Sequence, residues 1–192
     1  MYKKFFEGII EVITGPMFSG KSDELIKRIR TLSYASINTL VIKPKIDQRF
    51  SSCEIISRSG LKIPTFSVET VEEIQELFEA EEYQAIAIDE IQFFPETIID
   101  FLDSLANKGI RVMVSGLDQD YLRKPFGPLP KLMALAENIT KLQAVCAICK
   151  RAATTSARTH ENSTDQTLIG DLEEYEARCR DCHAKKSKTK KV

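Results

Sequence analysis

An apolar run over residues 9–13 leads directly into Gly15, Pro16, Met17, Phe18, Ser19, Gly20, Lys21 and Ser22, and a helical pattern begins at once behind them. The octet reads G-x-x-x-x-G-K-S. Few local patterns restrict a fold so strongly: a buried strand must end, the chain must curl, and a helix must start with its N-terminus facing the curl. Glycines let successive backbone N–H groups face one anion, the Lys21 ammonium adds a point charge, and the Ser22 hydroxyl is placed to ligand Mg²⁺. The pattern predicts a site for the phosphates of a nucleoside triphosphate. A glycine turn of purely structural use is the alternative, and the flanking strand and helix weigh against it.

The remaining chain alternates the two periodicities. Leu25, Ile26, Ile29 and Leu32 recur at helical spacing opposite Lys27, Arg28 and Arg30, which predicts a helix over 21–34. Residues 39–43 read as a short buried strand ended by Pro44, and 44–60 as a long polar loop containing Asp47, Arg49 and Arg58. Thr70 stands three residues before Glu73 and opens a helix over 70–82. A strand over 85–88 delivers Asp89 and Glu90 at its carboxyl end, a helix follows over 95–108 with Gly109 as its cap, and 111–117 is the next strand. Strand and helix in alternation imply an α/β fold, a P-loop NTPase-like open parallel sheet with right-handed crossovers and its ligand at the strand carboxyl ends. Residues 121–130 hold three prolines and are expected to be neither helix nor strand.

Asp89 occupies the position from which a carboxylate holds Mg²⁺, directly or through water. Neighbouring residues at a strand end point to different sides, so Glu90 is expected to face the phosphoryl acceptor and act as the general base. Ordinary solvated acids are the bland alternative. The pair does not by itself separate a kinase from an ATPase, because both reactions need the same positioning and charge neutralisation.

Four of the five cysteines form two C-x-x-C pairs, Cys146 with Cys149 and Cys179 with Cys182, separated by 29 residues, 150–178. Two such pairs complete a tetrahedral, structural Zn²⁺ site. The gap suits a two-stranded ribbon with strands over 152–159 and 167–170 and a turn over 160–165 containing His160. His183 adjoins Cys182 and is the competing fourth ligand, although the repeat of C-x-x-C favours Cys182. A redox dithiol is a weaker reading without a thioredoxin-like context, and Cys53 is a spare thiol. The resulting organisation is a P-loop α/β ATP-binding domain over 1–141, a zinc-ribbon domain over 142–184, and a basic tail over 185–192, whose five lysines in eight residues predict disorder.

Hydrophobic residues make up 43% of the 192, enough for one core and a small appendage, and the net charge of −1 supplies no field to draw the chain to nucleic acid or a membrane surface. The first residues are too short and too acidic for a signal peptide, and no run approaches the roughly 18 apolar residues of a membrane span. A cytoplasmic protein is expected.

Taken in order, GPMFSGKS at 15–22, KPKIDQRF at 43–50, DEIQFF at 89–94, GLDQDYLRKPFG at 116–127 and YEARCRDCH at 175–183 resemble the type II thymidine kinases, the zinc-containing family that includes the human cytosolic enzyme and most bacterial ones. The resemblance covers nearly the whole chain. It implies transfer of the γ-phosphate of ATP to the 5′-hydroxyl of thymidine, and also of deoxyuridine, giving dTMP and ADP in pyrimidine deoxynucleoside salvage. It further implies a zinc domain whose lasso loop closes over the nucleoside, feedback inhibition by dTTP, and a homotetramer. By the same resemblance Glu90 is the base, residues 15–22 with Asp89 and Gln92 contact ATP and Mg²⁺, and Asp47 and Arg49 lie beside the phosphates. Met17, Phe93, Leu117, Tyr121 and Phe126 match the base pocket. Ser156, Gln166, Thr167, Leu168, Ile169 and Gly170 match the lasso, and Tyr175 packs against it. Two departures stand out: Ser156 where the family has threonine, and Asp171 where it has a second glycine.

Other classes fit less well. A small P-loop ATPase acting on nucleic acid is suggested by D-E-x-Q, but such motors need two lobes or a trans-acting arginine. A GTPase needs N-K-x-D, whereas Asn107 and Lys108 are followed by Gly109 and Ile110. A nucleic-acid-binding zinc ribbon lacks a basic, aromatic-interleaved face.

Overall fold

The computed structural model describes residues 8–47, 54–57, 59–159 and 174–188. Its centre is a six-stranded sheet in which every neighbouring pair is parallel. The strands are β1 (Ile10–Thr14), β2 (Thr39–Pro44), β5 (Phe66–Val68), β6 (Ala85–Ile88), β7 (Arg111–Gly116) and β8 (Asn138–Lys141), in the order β5-β2-β6-β7-β1-β8. Between β2 and β5 the chain makes an antiparallel pair, β3 (Glu54–Ile56) and β4 (Lys62–Pro64), inside the segment expected to be an open loop and its continuation.

Helices cover both faces: α1 (Lys21–Tyr34) on one, and α2 (Val71–Ala80), α3 (Ile98–Asn107) and α4 (Leu129–Leu135) on the other. The period of two along the strands divides the core accordingly. Ile86 and Ile88 of β6 and Val112 and Val114 of β7 meet α2, α3 and α4, while Ala85, Ala87 and Met113 meet α1. The two alanines keep the surface low under α1, whose Leu25, Ile26, Ile29 and Leu32 are buried against it. Each such side chain contributes about 1.5–3 kcal/mol by leaving water. Glu11 of β1 is 5% exposed and accepts from Arg111 of β7 and, at 3.3 Å, from Arg28 of α1. These contacts fasten the strand that carries the phosphate loop.

Local signals were obeyed at α1 and α2. Thr70 caps α2 by accepting from the Glu73 N–H at 3.2 Å, and Glu73 returns the bond to the N–H of Glu69 rather than of Thr70. Gly109 takes the left-handed conformation beyond α3 (φ 89°). Residues 121–130 depart from expectation, because α4 begins at Leu129. Its Pro130 falls in the first turn, where a missing N–H has no intrahelical partner to lose.

The cysteine-bearing segment consists of β9 (Ala144–Val145) paired with β10 (Ala152–Ala153), β11 (Thr155–Arg158) paired with β12 (Tyr175–Arg178), and α5 (Arg180–Lys188). The ribbon partner of β11 is therefore β12, which runs into the second cysteine pair; the strand expected over 167–170 lies outside the described residues, as do His160 and Cys53. The helix α5 extends to Lys188, into the segment expected to be a disordered tail, and 189–192 lie outside the description. Among the described residues no helix is long and apolar enough to cross a membrane.

Candidate active site

The loop over 15–20 joins β1 to α1 through three residues of positive φ: Gly15 (147°), Phe18 (67°) and Gly20 (83°). A Cβ on Gly15 would lie 2.6 Å from the Leu142 carbonyl oxygen, so only glycine fits there. Phe18 tolerates its left-handed backbone while its side chain packs against the cysteine cluster. Lys21 is 8% exposed and donates to the Pro16 carbonyl at 3.0 Å, which the Ser19 hydroxyl also reaches, at 2.8 Å.

Asp89, just past the end of β6, is 5% exposed and gathers contacts from two other elements. Ser22 Oγ of α1 donates to its Oδ2 at 2.9 Å, and Ser115 Oγ of β7 donates to Oδ1. Because β7 lies between β1 and β6, its Ser115 bridges the acid strand and the phosphate-loop strand. Burial and then the charge of Glu90 push the Asp89 carboxyl up from 3.8 to about 6, against the Ser115 and Ser22 hydrogen bonds and the Lys21 charge. A buried carboxylate so disfavoured beside a hydroxyl is a fit place for a cation.

Glu90 follows in the left-handed conformation (φ 51°, ψ 42°), so a turn rather than strand alternation aims it. Gln92, 3% exposed, joins it to the next strand end: its Nε2 donates to Glu90 Oε2 at 2.5 Å and its Oε1 accepts from the Leu117 N–H at 3.0 Å. Two glycines clear space for Gln92. A Cβ on Gly116 would meet its Oε1 at 2.4 Å, and one on Gly127 (φ 58°) would meet its carbonyl oxygen at 2.3 Å.

Next to this group stands an aromatic wall. The Phe93 and Phe126 rings meet edge to face, centroids 5.9 Å apart at 87°. The turn before Phe126 is held by Asp120, whose Oδ1 accepts from the N–H groups of Leu122 and Lys124, both at 2.9 Å, and by Asp118, which pairs with Lys141 at 2.5 Å. The ribbon contributes three contacts. Ser156 Oγ accepts from the Met17 N–H at 2.9 Å, the Arg158 guanidinium lies 3.8 Å from the Tyr121 ring centroid, and Arg158 Nε donates to the Tyr175 hydroxyl at 3.3 Å.

Met17, Phe18, Ser19, Gly20, Lys21, Ser22, Asp47, Asp89 and Glu90 line one cavity. Arg49, Gln166, Thr167, Leu168, Ile169, Gly170 and Asp171 lie outside the described residues. Sequence reasoning missed Ser115, Arg158 and Lys43. A lone hydroxyl in an apolar strand was the available signal for Ser115 and the KPKIDQRF stretch at 43–50 for Lys43; nothing local marked Arg158.

The Sγ atoms of Cys146, Cys149, Cys179 and Cys182 all lie within 4.8 Å of one another, and Cys149 to Cys179 is 3.6 Å. Ligands about 2.3 Å from one tetrahedral ion stand at such separations. Arg151 donates to Cys149 at 3.4 Å, and that bond and the one from the Arg151 backbone N–H hold the thiol down at about 6. Burial opposes ionisation of Cys146, yet N–H groups of Cys149, Cys179 and Ile148 outweigh it and lower that thiol too. The Cys182 thiol lies with the other three, and His183 Nε2 lies 2.9 Å from the Tyr121 carbonyl, at the wall.

A parallel sheet, a G-x-x-x-x-G-K-S turn, and a serine–aspartate pair with a second acid beside it define a P-loop nucleotide-binding protein with a cysteine-clustered ribbon. Comparison narrows the class. The profile of the thymidine kinase family matches residues 8–183, and the chain belongs to that family. It is 72% identical over 184 residues to the thymidine kinase of Mesomycoplasma hyopneumoniae strain 7448, covering 96% of this chain and 100% of the relative. Those of Mycoplasma mobile and Metamycoplasma arthritidis are 57% and 55% identical, covering 95% of this chain in each case and 90% and 94% of theirs. Among solved structures, domain III of the Thermotoga maritima replication initiation protein DnaA superposes with a TM-score of 0.40 at 12% identity, over 69% of this chain and 54% of that one, too slight a likeness to argue from.

Proposed function

We propose that this chain transfers the γ-phosphate of ATP to the 5′-hydroxyl of thymidine, and of deoxyuridine, to give the nucleoside monophosphate and ADP. The observation that carries the reading is the convergence of Lys21, the Ser22–Asp89 pair and Glu90 on one cavity, in a chain of this family. The N–H groups of the loop from Phe18 onward and the Lys21 ammonium hold the phosphates, Lys21 exchanging the Pro16 carbonyl for a stronger, charged acceptor. Ser22 and Asp89 are the residues that would hold Mg²⁺, which supplies charge neutralisation to the phosphates when bound.

Glu90 accepts the proton of the 5′-hydroxyl as that oxygen attacks the γ-phosphorus, and the bond to the bridging oxygen of ADP breaks. Gln92 fixes the carboxylate by the bond at 2.5 Å. Met17, Phe93, Leu117, Tyr121 and Phe126 supply the flat apolar slot a pyrimidine needs, Ser156 and Tyr175 close it from the ribbon, and the family resemblance assigns residues 166–170 to the same recognition. The family resemblance assigns Asp47 and Arg49 to the phosphates. The four cysteines are the residues that would hold Zn²⁺, which would tie the turn between β9 and β10 to the end of β12. Feedback by dTTP, a homotetramer and a cytoplasmic location follow the family resemblance and belong to the same proposal.

The test is to incubate the protein with Mg-ATP and each deoxynucleoside, with an ATP-only control, and to measure ADP and monophosphate. Thymidine monophosphate in step with ADP is expected. ADP without monophosphate would make the chain an ATPase in which Glu90 activates water.

A further inference from the structure

Lys43, the fifth residue of β2, is 4% exposed and lines the same cavity as Lys21, Asp89 and Glu90. Its backbone neighbours place it on the acid side: β2 pairs with β6, and the Asp89 N–H donates to the Ile42 carbonyl at 3.0 Å. Lys21 enters the cavity from the phosphate loop, so two ammonium groups reach it from different elements.

The charge balance makes the second one consequential. Among the described lining residues the carboxylates are Asp23, Asp47, Glu54, Asp89 and Glu90, and the cations are Lys21 and Lys43, five against two. A polyphosphate entering there adds further negative charge. Lys43 is half of the positive charge those residues offer, in a buried site where Coulomb interactions are least screened.

One of its contacts resembles one made by Lys21. Lys43 Nζ donates to the Glu54 carbonyl at 3.2 Å, as Lys21 Nζ donates to the Pro16 carbonyl at 3.0 Å. A phosphate oxygen is a stronger acceptor for an ammonium than a neutral carbonyl. The Glu54 bond also ties the β3–β4 hairpin to the end of β2.

We infer that Lys43 is a second phosphate-binding lysine, contacting the transferred terminal phosphate from the side of Asp89 and Glu90 while Lys21 serves the phosphate loop. This rests on the phosphotransfer reading above. Because charge on that phosphate is redistributed in the transition state, the contact acts on turnover more than on binding of ADP, which lacks the group.

The experiment compares wild type with Lys43→Met and Lys43→Gln, measuring kcat for thymidine, the Kd of ADP, the thermal midpoint and metal content, with Lys43→Arg as the charge-retaining variant. Expected is a fall in kcat of about 10²-fold in Met and Gln, ADP affinity within about threefold of wild type, an unchanged midpoint, and partial recovery of kcat in Arg. A kcat within threefold of wild type, an equal loss of ADP affinity, or loss of folded protein in both Met and Gln would each overturn the inference and make Lys43 a structural residue. Wild type is the internal control: if it forms no thymidine monophosphate, the phosphotransfer reading fails and not the lysine assignment alone.

Discussion

Asp89→Asn should separate stability from turnover, because the wild-type carboxylate is held where its charge is disfavoured. The rise from 3.8 to about 6 corresponds to about 3 kcal/mol at 1.36 kcal/mol per pH unit. The direction is fixed by linkage: a carboxyl that binds its proton more tightly folded than unfolded gives stability that is complete below pH 3.8 and is lost as pH rises through about 6. At pH 8 wild type carries the full penalty and the amide none. Against this gain, asparagine offers one acceptor oxygen where the carboxylate accepts from both Ser22 and Ser115, although a hydroxyl can rotate to accept from the amide instead. The expected net is a nucleotide-free Asp89→Asn protein more stable than wild type by about 1–3 kcal/mol at pH 8, or about 2–4 °C for each kcal/mol. The difference should shrink steadily towards pH 4, while thymidine phosphorylation falls by orders of magnitude. Thermal unfolding of both proteins from pH 4 to 8, with turnover at pH 8, is the assay. A mutant no more stable than wild type at pH 8, or a difference independent of pH, would refute the argument that burial and the Glu90 charge disfavour this carboxylate.

Glu90→Gln should lower kcat by about 10²–10⁴-fold with ATP binding retained, as measured by steady-state kinetics and calorimetry; unchanged turnover would remove Glu90 as base. Cys149→Ser should sharply lower the metal-to-protein ratio and leave the ribbon open to proteolysis, and a fully metallated, equally resistant mutant would contradict the four-thiolate site. Gly127→Ala adds a Cβ 2.3 Å from the Gln92 carbonyl at a φ of 58°. Conformational strain of about 1–2 kcal/mol and overpacking of about 1–3 kcal/mol predict a loss of about 2–5 kcal/mol and a disturbed Glu90, and wild-type stability with full kcat would show that the backbone yields freely.

The sequence by itself determined what depends on short range. The G-x-x-x-x-G-K-S turn, α1 and α2, the buried strands and the Asp89–Glu90 pair follow from periodicity, capping and glycine, each decided by a few adjacent residues. The two C-x-x-C pairs announced the four-sulfur cluster because their spacing is itself the ligand geometry. Tertiary structure decided everything that needed strands brought side by side. Only the order β6-β7-β1 puts Ser115 on Asp89, and only the fold of the ribbon against the phosphate loop gives the Met17 N–H to Ser156 and stacks Arg158 on Tyr121. Lys43 read as the polar end of a strand until the hairpin and β6 enclosed it. Even α4 was hidden, since Pro130 looks like a helix breaker until its place in the first turn is known. For Ser115, Ser156, Arg158 and Lys43 the informative partner lies elsewhere in the chain, and no local propensity encodes a contact that exists only after the core has set the strand order.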